Sequence, residues 1–167
     1  VETIAEGIVD GVASPLFYFA IFGLPGAWMF RLASTFDSMI GYKDKEHINI
    51  GWFSAKMDSL LNFLPARLSS IAMLLACMIL RWDWKFAKQI LLRDRNAPPS
   101  INSGWPMATM AGILKLRLEK PGFYVLGKEL RHPSINDVYS ALKIMHLTVL
   151  LFTLIFVSPI MFLLSLI

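Results

Sequence analysis

The sequence has little charge: Asp, Glu, Lys and Arg make up 17% of its 167 residues, against about a quarter in a typical soluble domain. Its only cysteine is Cys77, which excludes an internal disulfide and a cysteine-based metal site. The histidines, His47, His132 and His146, have no second ligand at helical spacing, which argues against zinc. No Walker loop, GxGxxG or HExxH motif occurs, so no standard nucleotide-binding fold is predicted.

The sequence contains long uncharged, apolar runs. Residues 147–167 form a run of 21 residues without a charge, long enough for a helix to cross about 30 Å of hydrocarbon, with a kink expected at Ser158-Pro159. Residues 11–30 are also uncharged but contain prolines and glycines, so they predict a broken or re-entrant membrane helix. Residues 66–80 predict a third membrane segment, too short to cross alone at about 1.5 Å per residue.

These runs, with a hydrophobic content of 56%, predict an all-α, polytopic helical membrane protein that forms a single membrane domain over residues 1–167. Residues 81–146 hold eleven Lys and Arg against five Asp and Glu, whereas residues 1–80 hold five against seven. The positive-inside tendency therefore places 81–146 in the cytoplasm as a basic loop region. Such a surface fits phosphate-bearing ligands or anionic lipid, and nucleic acid is a poor fit for so apolar a chain.

Local patterns predict shorter elements between these segments. The chain starts at Val1 without a signal-peptide pattern, so we expect it to begin within a longer protein. Small residues within 108–112 predict a closely packed helix face. Helices are expected over 1–10, 31–40, 52–64, 65–80, 106–118 and 135–145, a basic amphipathic helix over 81–95 on the cytoplasmic surface, loops over 41–47 and 97–104, and irregular structure over 119–136.

Acidic side chains recur every four residues at the start of the chain. Glu2, Glu6 and Asp10 share one helix face, where like charges repel and favour a cation. Mg²⁺ binds oxygen ligands of this kind beside phosphates. A solvated face on a surface helix is the plainer interpretation. Asp37 and Lys43 could likewise converge on a phosphate, although an Asp at a helix end is equally ordinary.

A carboxylate, an amide and a guanidinium interrupt the apolar run before residues 68–80. Asp58 and Asn62 lie four residues apart, and Arg67 follows them. Ionisable groups at a bilayer segment usually face a bundle interior or a water-filled site, and Arg suits bidentate binding of carboxylate or phosphate. The pattern therefore favours polar chemistry next to lipid. The alternative is a structural Asp–Arg pair that anchors two helices.

The segment Pro-Ser-Ile-Asn-Ser-Gly-Trp-Pro, residues 99–106, precedes a predicted helix. Gly104 or the serine before it can cap that helix, and helix N-termini bind anions. The basic residues Arg93 and Arg95 lie just upstream, and Trp105 could stack on a flat ligand. A plain capped helix start explains the same pattern.

Together these stretches resemble the adenosylcobinamide-phosphate synthase family of cobalamin biosynthesis, CbiB/CobD. The resemblance runs in order over nearly all of residues 1–145, and the last helix matches only in character. The matching strings are Glu-Thr-Ile-Ala-Glu-Gly-Ile-Val-Asp-Gly at 2–11, Ser-Pro-Leu-Phe-Tyr at 14–18, Thr-Phe-Asp-Ser-Met-Ile-Gly-Tyr-Lys at 35–43, residues 58–68 with Asn62 and Pro65-Ala-Arg67, Arg93-Asp94, Ser-Ile-Asn-Ser-Gly-Trp-Pro at 100–106 and Met-Ala-Gly at 110–112.

The sequence departs from the family pattern at a few positions. Gly7 and Ser34 stand where the family usually has Asn, Ser59 where it has a second Asp, and Ile101 where it has Pro. The resemblance also implies an amino-terminal portion with more membrane helices, which agrees with the start at Val1.

The resemblance implies an ATP- and Mg²⁺-dependent ligase that joins a carboxylate of adenosylcobyric acid, a corrinoid, to the amine of aminopropanol phosphate. It further implies a multi-pass protein of the cell membrane with its active site facing the cytoplasm, and is compatible with a homo-oligomer or with other enzymes of the pathway as partners. The implied roles are catalysis for Asp58, Arg67, Glu6 and Asp37, cofactor binding for Glu2, Asp10, Lys43, Arg93, Asn102 and Gly104, substrate binding for Tyr18, Asn62 and Trp105, and Mg²⁺ ligation for Glu2, Glu6 and Asp10.

A non-enzymatic membrane protein is the alternative, either a transporter with residues 11–30 along its substrate path or a signalling relative of the family. Mg²⁺-dependent ATP binding would separate these classes. A single ligase site also imposes a topological condition, because a full crossing by residues 68–80 would put Asp37 and Asp58 opposite the basic region. We therefore expect residues 65–80 to enter the membrane only partway, or Arg67 to lie in a polar cavity at depth.

Overall fold

The computed structural model describes residues 1–40 and 48–166, and in those ranges the regular elements are helices apart from one short hairpin. The prediction of an all-α fold is confirmed. The predicted loop 41–47, with Lys43, lies outside the described residues. The elements are α1 (Glu2–Gly7), a π-helical segment (Ile8–Ala13), α2 (Ser14–Ile40), α3 (Ile48–Leu61), α4 (Phe63–Ile79), α5 (Trp84–Asp94), α6 (Gly104–Leu114), β1 (Leu118–Lys120), β2 (Tyr124–Leu126), α7 (Ile135–Phe152), a second π-helical segment (Thr153–Val157) and α8 (Ser158–Leu164).

Three helical stretches among the described residues are long and apolar enough to cross a membrane: Glu2–Met39, Gly51–Ile79 and Ile135–Leu164. Each overlaps one of the predicted membrane segments and begins before it, because the preceding residues are helical, and the first stretch is interrupted at Gly23. The kink expected at Ser158-Pro159 coincides with the end of the second π-helical segment, and π-helical turns are a recognised cause of helix bending.

Residues 66–80, the predicted membrane segment that is too short to cross alone, belong to a longer helix. Only Asn62 separates α3 from α4, and its backbone stays near helical (φ −79°, ψ −9°). The amides of Asn62 and Ala66 donate to the carbonyls of Asp58 and Asn62 at 2.9 and 3.0 Å. Pro65 falls in the first turn of α4, where its missing N–H leaves no intrahelical bond unmade. The stretch Gly51–Ile79 has 29 residues, so its length does not require partial entry into the membrane.

The first apolar stretch turns back on itself at Gly23. The backbone there (φ 65°, ψ −156°) is one that in practice only glycine adopts. The Tyr18 and Phe30 rings stack with centroids 5.9 Å apart, whereas a straight helix would separate these residues by about 18 Å. Arg31 Nη1 likewise lies 3.5 Å from the carbonyl oxygen of Asp10. Two antiparallel helical arms result, and the predicted broken helix is confirmed.

α6 lies at the centre of the core, with every residue buried except Trp105. It packs against α4 and α5. A Cβ atom on Gly112 would lie 2.7 Å from the Cα atom of Ala87 in α5, so the two helix backbones are in contact and the predicted close packing is confirmed. The apolar face of α5, which includes Ile90, is buried by this contact. α5 therefore packs its apolar face on protein, and its predicted position on the cytoplasmic surface stays a prediction.

α6 ends at Leu114, four residues before the predicted end. Lys115 adopts the left-handed conformation (φ 53°, ψ 51°), and the amide of Leu116 donates to the carbonyl of Ala111 at 2.9 Å, which closes the helix. The chain then forms the antiparallel hairpin β1–β2, where part of an irregular region was expected.

Asp94 ties this hairpin to the end of α5. Its carboxylate accepts hydrogen bonds from the Gly127 amide at 2.7 Å and from the Arg93 guanidinium at 2.7 and 2.9 Å. Burial alone would raise the pKa of Asp94, but these hydrogen bonds and the charge of Arg93 outweigh it and hold the pKa below its usual value. The hairpin is thereby held in a fixed place beside α1.

The reversal at Gly23 predicts a position-specific effect of substitution. Gly23→Ala should lower the free energy of unfolding by about 1–3 kcal/mol, because alanine must adopt the strained backbone. Gly11→Ala is the matched control, since a Cβ atom there would meet nothing within 4 Å. Unfolding in mixed micelles, followed by circular dichroism, measures both. Equal stability of the two variants would contradict the hairpin.

Candidate functional site

A chain of buried hydrogen bonds centres on Asn62. Ser14 Oγ donates to Asn62 Oδ1 at 2.5 Å, and Asn62 Nδ2 donates to both carboxylate oxygens of Asp58 at 3.2 Å. Ser14 and Asn62 are almost fully buried. The Tyr18 hydroxyl adds a bond to the carbonyl of Leu61 at 2.9 Å. These contacts fix the first arm of the α2 hairpin against the α3–α4 junction.

Asp58 faces a small cleft that is lined mainly by polar side chains. The cleft has a volume of about 50 Å³. The side chains of Asp10, Asp37 and Asp58 lie within electrostatic range of one another, so the structure brings together carboxylates from three elements. The lining residues are Glu6, Val9, Asp10, Asp58, Asn62, Ser100, Asn102, Ser103 and Pro106.

The cleft continues into a wider groove of about 550 Å³ between α1 and the β1–β2 hairpin. Glu2 and Glu6 line one side, and Lys120 and Tyr124 line the other. Burial, followed by the negative charges of Glu2 and Glu6, raises the pKa of Tyr124 to about 12. Glu2 Oε1 is buried and has no hydrogen-bond partner among the described residues.

The acidic stripe does not by itself form a metal centre. Among residues 1–40 and 48–166, no group of three or more His, Cys, Asp or Glu side chains is arranged to hold a metal ion. Glu2, Glu6 and Asp10 instead follow the groove one after another. This arrangement suits a Mg²⁺ ion that takes one or two ligands from protein and the rest from phosphate and water. The unpartnered Glu2 oxygen is compatible with that use.

Asn102 connects the cleft to Arg67. Asn102 Nδ2 donates to the carbonyl of Ser59 at 2.7 Å, and Arg67 Nη1 donates to Asn102 Oδ1 at 3.3 Å. Arg67 also donates to the carbonyl of Phe63 at 2.5 Å and lies over its ring. The alternative of an Asp58–Arg67 ion pair is not found in the described part of the chain, where Asp58 pairs with Asn62.

Two guanidinium groups lie near the ring of Trp105. The Cζ atoms of Arg67 and Arg95 are 4.9 and 4.7 Å from the centroid of its ring. Gly104 is buried against the carbonyl oxygen of Arg95, so closely that any side chain at 104 would displace that backbone. The structure thus gives Gly104 a packing role, and its predicted contact with a cofactor stays a prediction.

Several predicted residues have partners within the protein. Arg93 pairs with Asp94 at 2.7 Å and with Glu129 at 2.9 Å, so its charge is balanced. Tyr18 and Asn62 use their polar atoms in the bonds described above. The predicted roles of these residues towards cofactor or substrate stay predictions.

Sequence reasoning missed four residues around the site: Ser14, Arg95, Lys120 and Tyr124. The sequence shows that Arg95 precedes the segment 99–106, but not that its guanidinium stacks on Trp105. The other three reach the site through turns and helix packing, which leave no local pattern in the sequence.

Comparisons with known proteins find matches over most of the chain. A family model described as CobD/Cbib protein matches residues 1–153. The chain is 45% identical over 154 residues to the probable cobalamin biosynthesis protein CobD of Methanothermobacter thermautotrophicus, which covers 92% of the chain and 52% of that protein. It is 49% identical over 131 residues to the cobalamin biosynthesis protein CobD of Dehalococcoides mccartyi, with 78% and 42% covered. The chain thus spans about half the length of the curated relatives it matches. No solved structure matches it significantly.

The buried bond between Ser14 and Asn62 predicts energetic coupling. Ser14→Ala and Asn62→Ala should each destabilise the fold by about 1–3 kcal/mol, because each leaves a buried polar group without a partner. A double-mutant cycle should give a coupling energy of about 0.5–3 kcal/mol. Ser38→Ala is the control, since that exposed hydroxyl bonds the carbonyl of Ser34 in its own helix. Additive effects of the two buried substitutions would refute the bond.

Proposed function

The chain belongs to the CobD/Cbib protein family, and we therefore propose that it forms part of a cobalamin biosynthesis enzyme. The reaction we propose is the ATP-dependent formation of an amide between a carboxylate of adenosylcobyric acid and the amine of aminopropanol phosphate. The observation that supports a catalytic role most directly is the polar groove, in which carboxylates from α1, the first π-helical segment and α3 gather beside Asn102, the partner of Arg67.

The chemistry requires an activated carboxylate, because a carboxylate ion does not react with an amine directly. Transfer of the terminal phosphoryl group of ATP to the carboxylate gives an acyl phosphate and ADP. The amine then attacks the acyl carbon, the C–O bond to phosphate breaks, and the amine loses a proton. Asp58 is the candidate to accept that proton, and Arg67 would neutralise phosphate charge beside it.

Mg²⁺ would enter with the nucleotide. Glu2, Glu6 and Asp10 line the groove in series, and one or two of them would complete the coordination of an ion held mainly by phosphate oxygens. When bound, Mg²⁺ would neutralise phosphate charge during the transfer. Asp37 adds a negative charge close to Asp10 and Asp58.

The competing idea of a transporter rests on the broken helix. The break at Gly23 lies beside an apolar cleft lined by Leu24, Ala27, Trp28 and Leu32, with Arg31 and Thr35 at its edge. The polar groove lies elsewhere, at Asp10 and Asp58. No observation therefore favours a polar substrate path through the break, and ATP binding in the presence of Mg²⁺ remains the experiment that separates the two classes.

We propose that the groove faces the cytoplasm, because residues 81–146 carry the excess of Lys and Arg. Lys128 is exposed in this region and supplies a test. In a full-length protein with other accessible cysteines removed, Lys128→Cys should react with a membrane-impermeant maleimide in inverted vesicles and not in intact cells. Cys77 is buried and should contribute little background. Labelling only in intact cells would contradict this orientation.

Substitution in the groove should remove turnover and leave the fold intact. Asp58→Asn and Arg67→Ala in the detergent-extracted full-length protein should each lower the rate of amide formation by roughly 10²-fold or more. Glu129→Gln is the matched control, since it removes an exposed carboxylate whose ion pair with Arg93 lies outside the groove. Near-normal turnover of both groove variants would refute their catalytic assignment.

A further inference from the structure

Two arginines beside the groove have no carboxylate partner among residues 1–40 and 48–166. In the described parts of the chain, Arg117 and Arg131 form ion pairs with Glu119 and Asp137, as Arg93 does with its neighbours. Arg67 and Arg95 form none, although both are partly buried. Partly buried charges are costly unless they are paired, so these two cations call for an anion that the described residues do not supply.

The two guanidinium groups also share one aromatic ring. Both lie within 5 Å of the centroid of Trp105, and the positive charge of Arg95 acts on Arg67. Like charges at this range repel, and stacking on an aromatic ring offsets the repulsion only in part. A ligand with several negative oxygens would remove the repulsion and accept hydrogen bonds from both groups.

The backbone keeps Arg95 in this place. Gly104 allows the carbonyl of Arg95 to lie against the start of α6, directly before Trp105. Arg67 is held from the other side by the Phe63 carbonyl and by Asn102. Because Asn102 also lines the small cleft, the pair of cations stands at the edge of the groove.

We propose that Arg67 and Arg95, stacked on Trp105, form a binding site for a phosphate group, with Arg95 as a binding residue in addition to those named above. The site takes the phosphate of a soluble substrate or of a lipid headgroup, since both present the same anionic oxygens. Only the choice of ATP or aminopropanol phosphate as the natural ligand rests on the proposed function.

Inorganic pyrophosphate is the probe for this site. Its dissociation constant is measured by calorimetry on the full-length protein in phosphatidylcholine nanodiscs, with Arg95→Gln, Arg67→Gln and Arg95→Lys as variants. The two Gln variants should bind at least about tenfold more weakly. Arg95→Lys should fall between them and the wild type, because it keeps the charge and loses the planar fork.

Lys88→Gln is the matched control, since it removes one exposed cation from α5, where the structure records no ion pair for it among the described residues. Its affinity should equal that of the wild type. Wild-type affinity in Arg95→Gln, or equal weakening in Lys88→Gln, would overturn the site. If Arg95→Gln does not fold, unchanged affinity in both Arg67→Gln and Arg95→Lys overturns it as well.

A second arm separates the sources of phosphate. Nanodiscs with phosphatidylglycerol should leave pyrophosphate binding unchanged if the ligand is soluble, whereas competition that depends on Arg95 would identify a lipid headgroup at the same site. The phosphate site and the proposed function can be refuted separately. Arg95-dependent pyrophosphate binding without amide formation would support the site and refute the ligase.

Discussion

Polar side chains inside a bundle of apolar helices must find partners among themselves, because hydrocarbon offers none and an unmade hydrogen bond is costly there. Asn62 meets this constraint by using both ends of its amide, accepting from Ser14 and donating to Asp58. Its position between α3 and α4 makes it the junction of two elements. The first arm of the α2 hairpin, the long helix Gly51–Ile79 and the carboxylate of Asp58 are therefore held in one arrangement.

Asn102, in the segment before α6, is a second polar side chain that uses both ends of its amide. Its amide donates to the carbonyl of Ser59 and accepts from Arg67, so the loop, α3 and α4 are joined by a side chain that is itself nearly buried. Among the described residues, Glu2 Oε1 at the groove is buried without a hydrogen-bond partner, as are Ser69 Oγ and Thr148 Oγ1 inside the bundle. The guanidiniums of Arg67 and Arg95 form no ion pair in the same residues, so positive charge without a counter-ion lies at the edge of the groove.

The sequence predicts those features that depend on local spacing. Asp58 and Asn62, four residues apart on a helix, do share a face and do bond, and the glycines and prolines of residues 11–30 do break the helix. The long-range contacts could not be predicted, because Ser14 meets Asn62 across 48 residues. Which of Arg93 and Arg95 is available to a ligand also depends on the folded structure. Arg93 forms ion pairs with Asp94 and Glu129, whereas the guanidinium of Arg95 stacks on Trp105.

The two ends of the site have opposite charge, and this polarity bears on how a substrate would lie in it. Carboxylates from α1, the first π-helical segment and α3 line the cleft with Asn102, and the cation of Arg67, which shares the Trp105 ring with Arg95, bonds the amide oxygen of Asn102. Under the proposed function, aminopropanol phosphate carries an amine and a phosphate at its two ends. Its phosphate would lie at the two arginines and its amine towards Asp58. That orientation brings the amine to the one carboxylate proposed to accept its proton, so the charge separation of the groove would position the nucleophile as well as bind it.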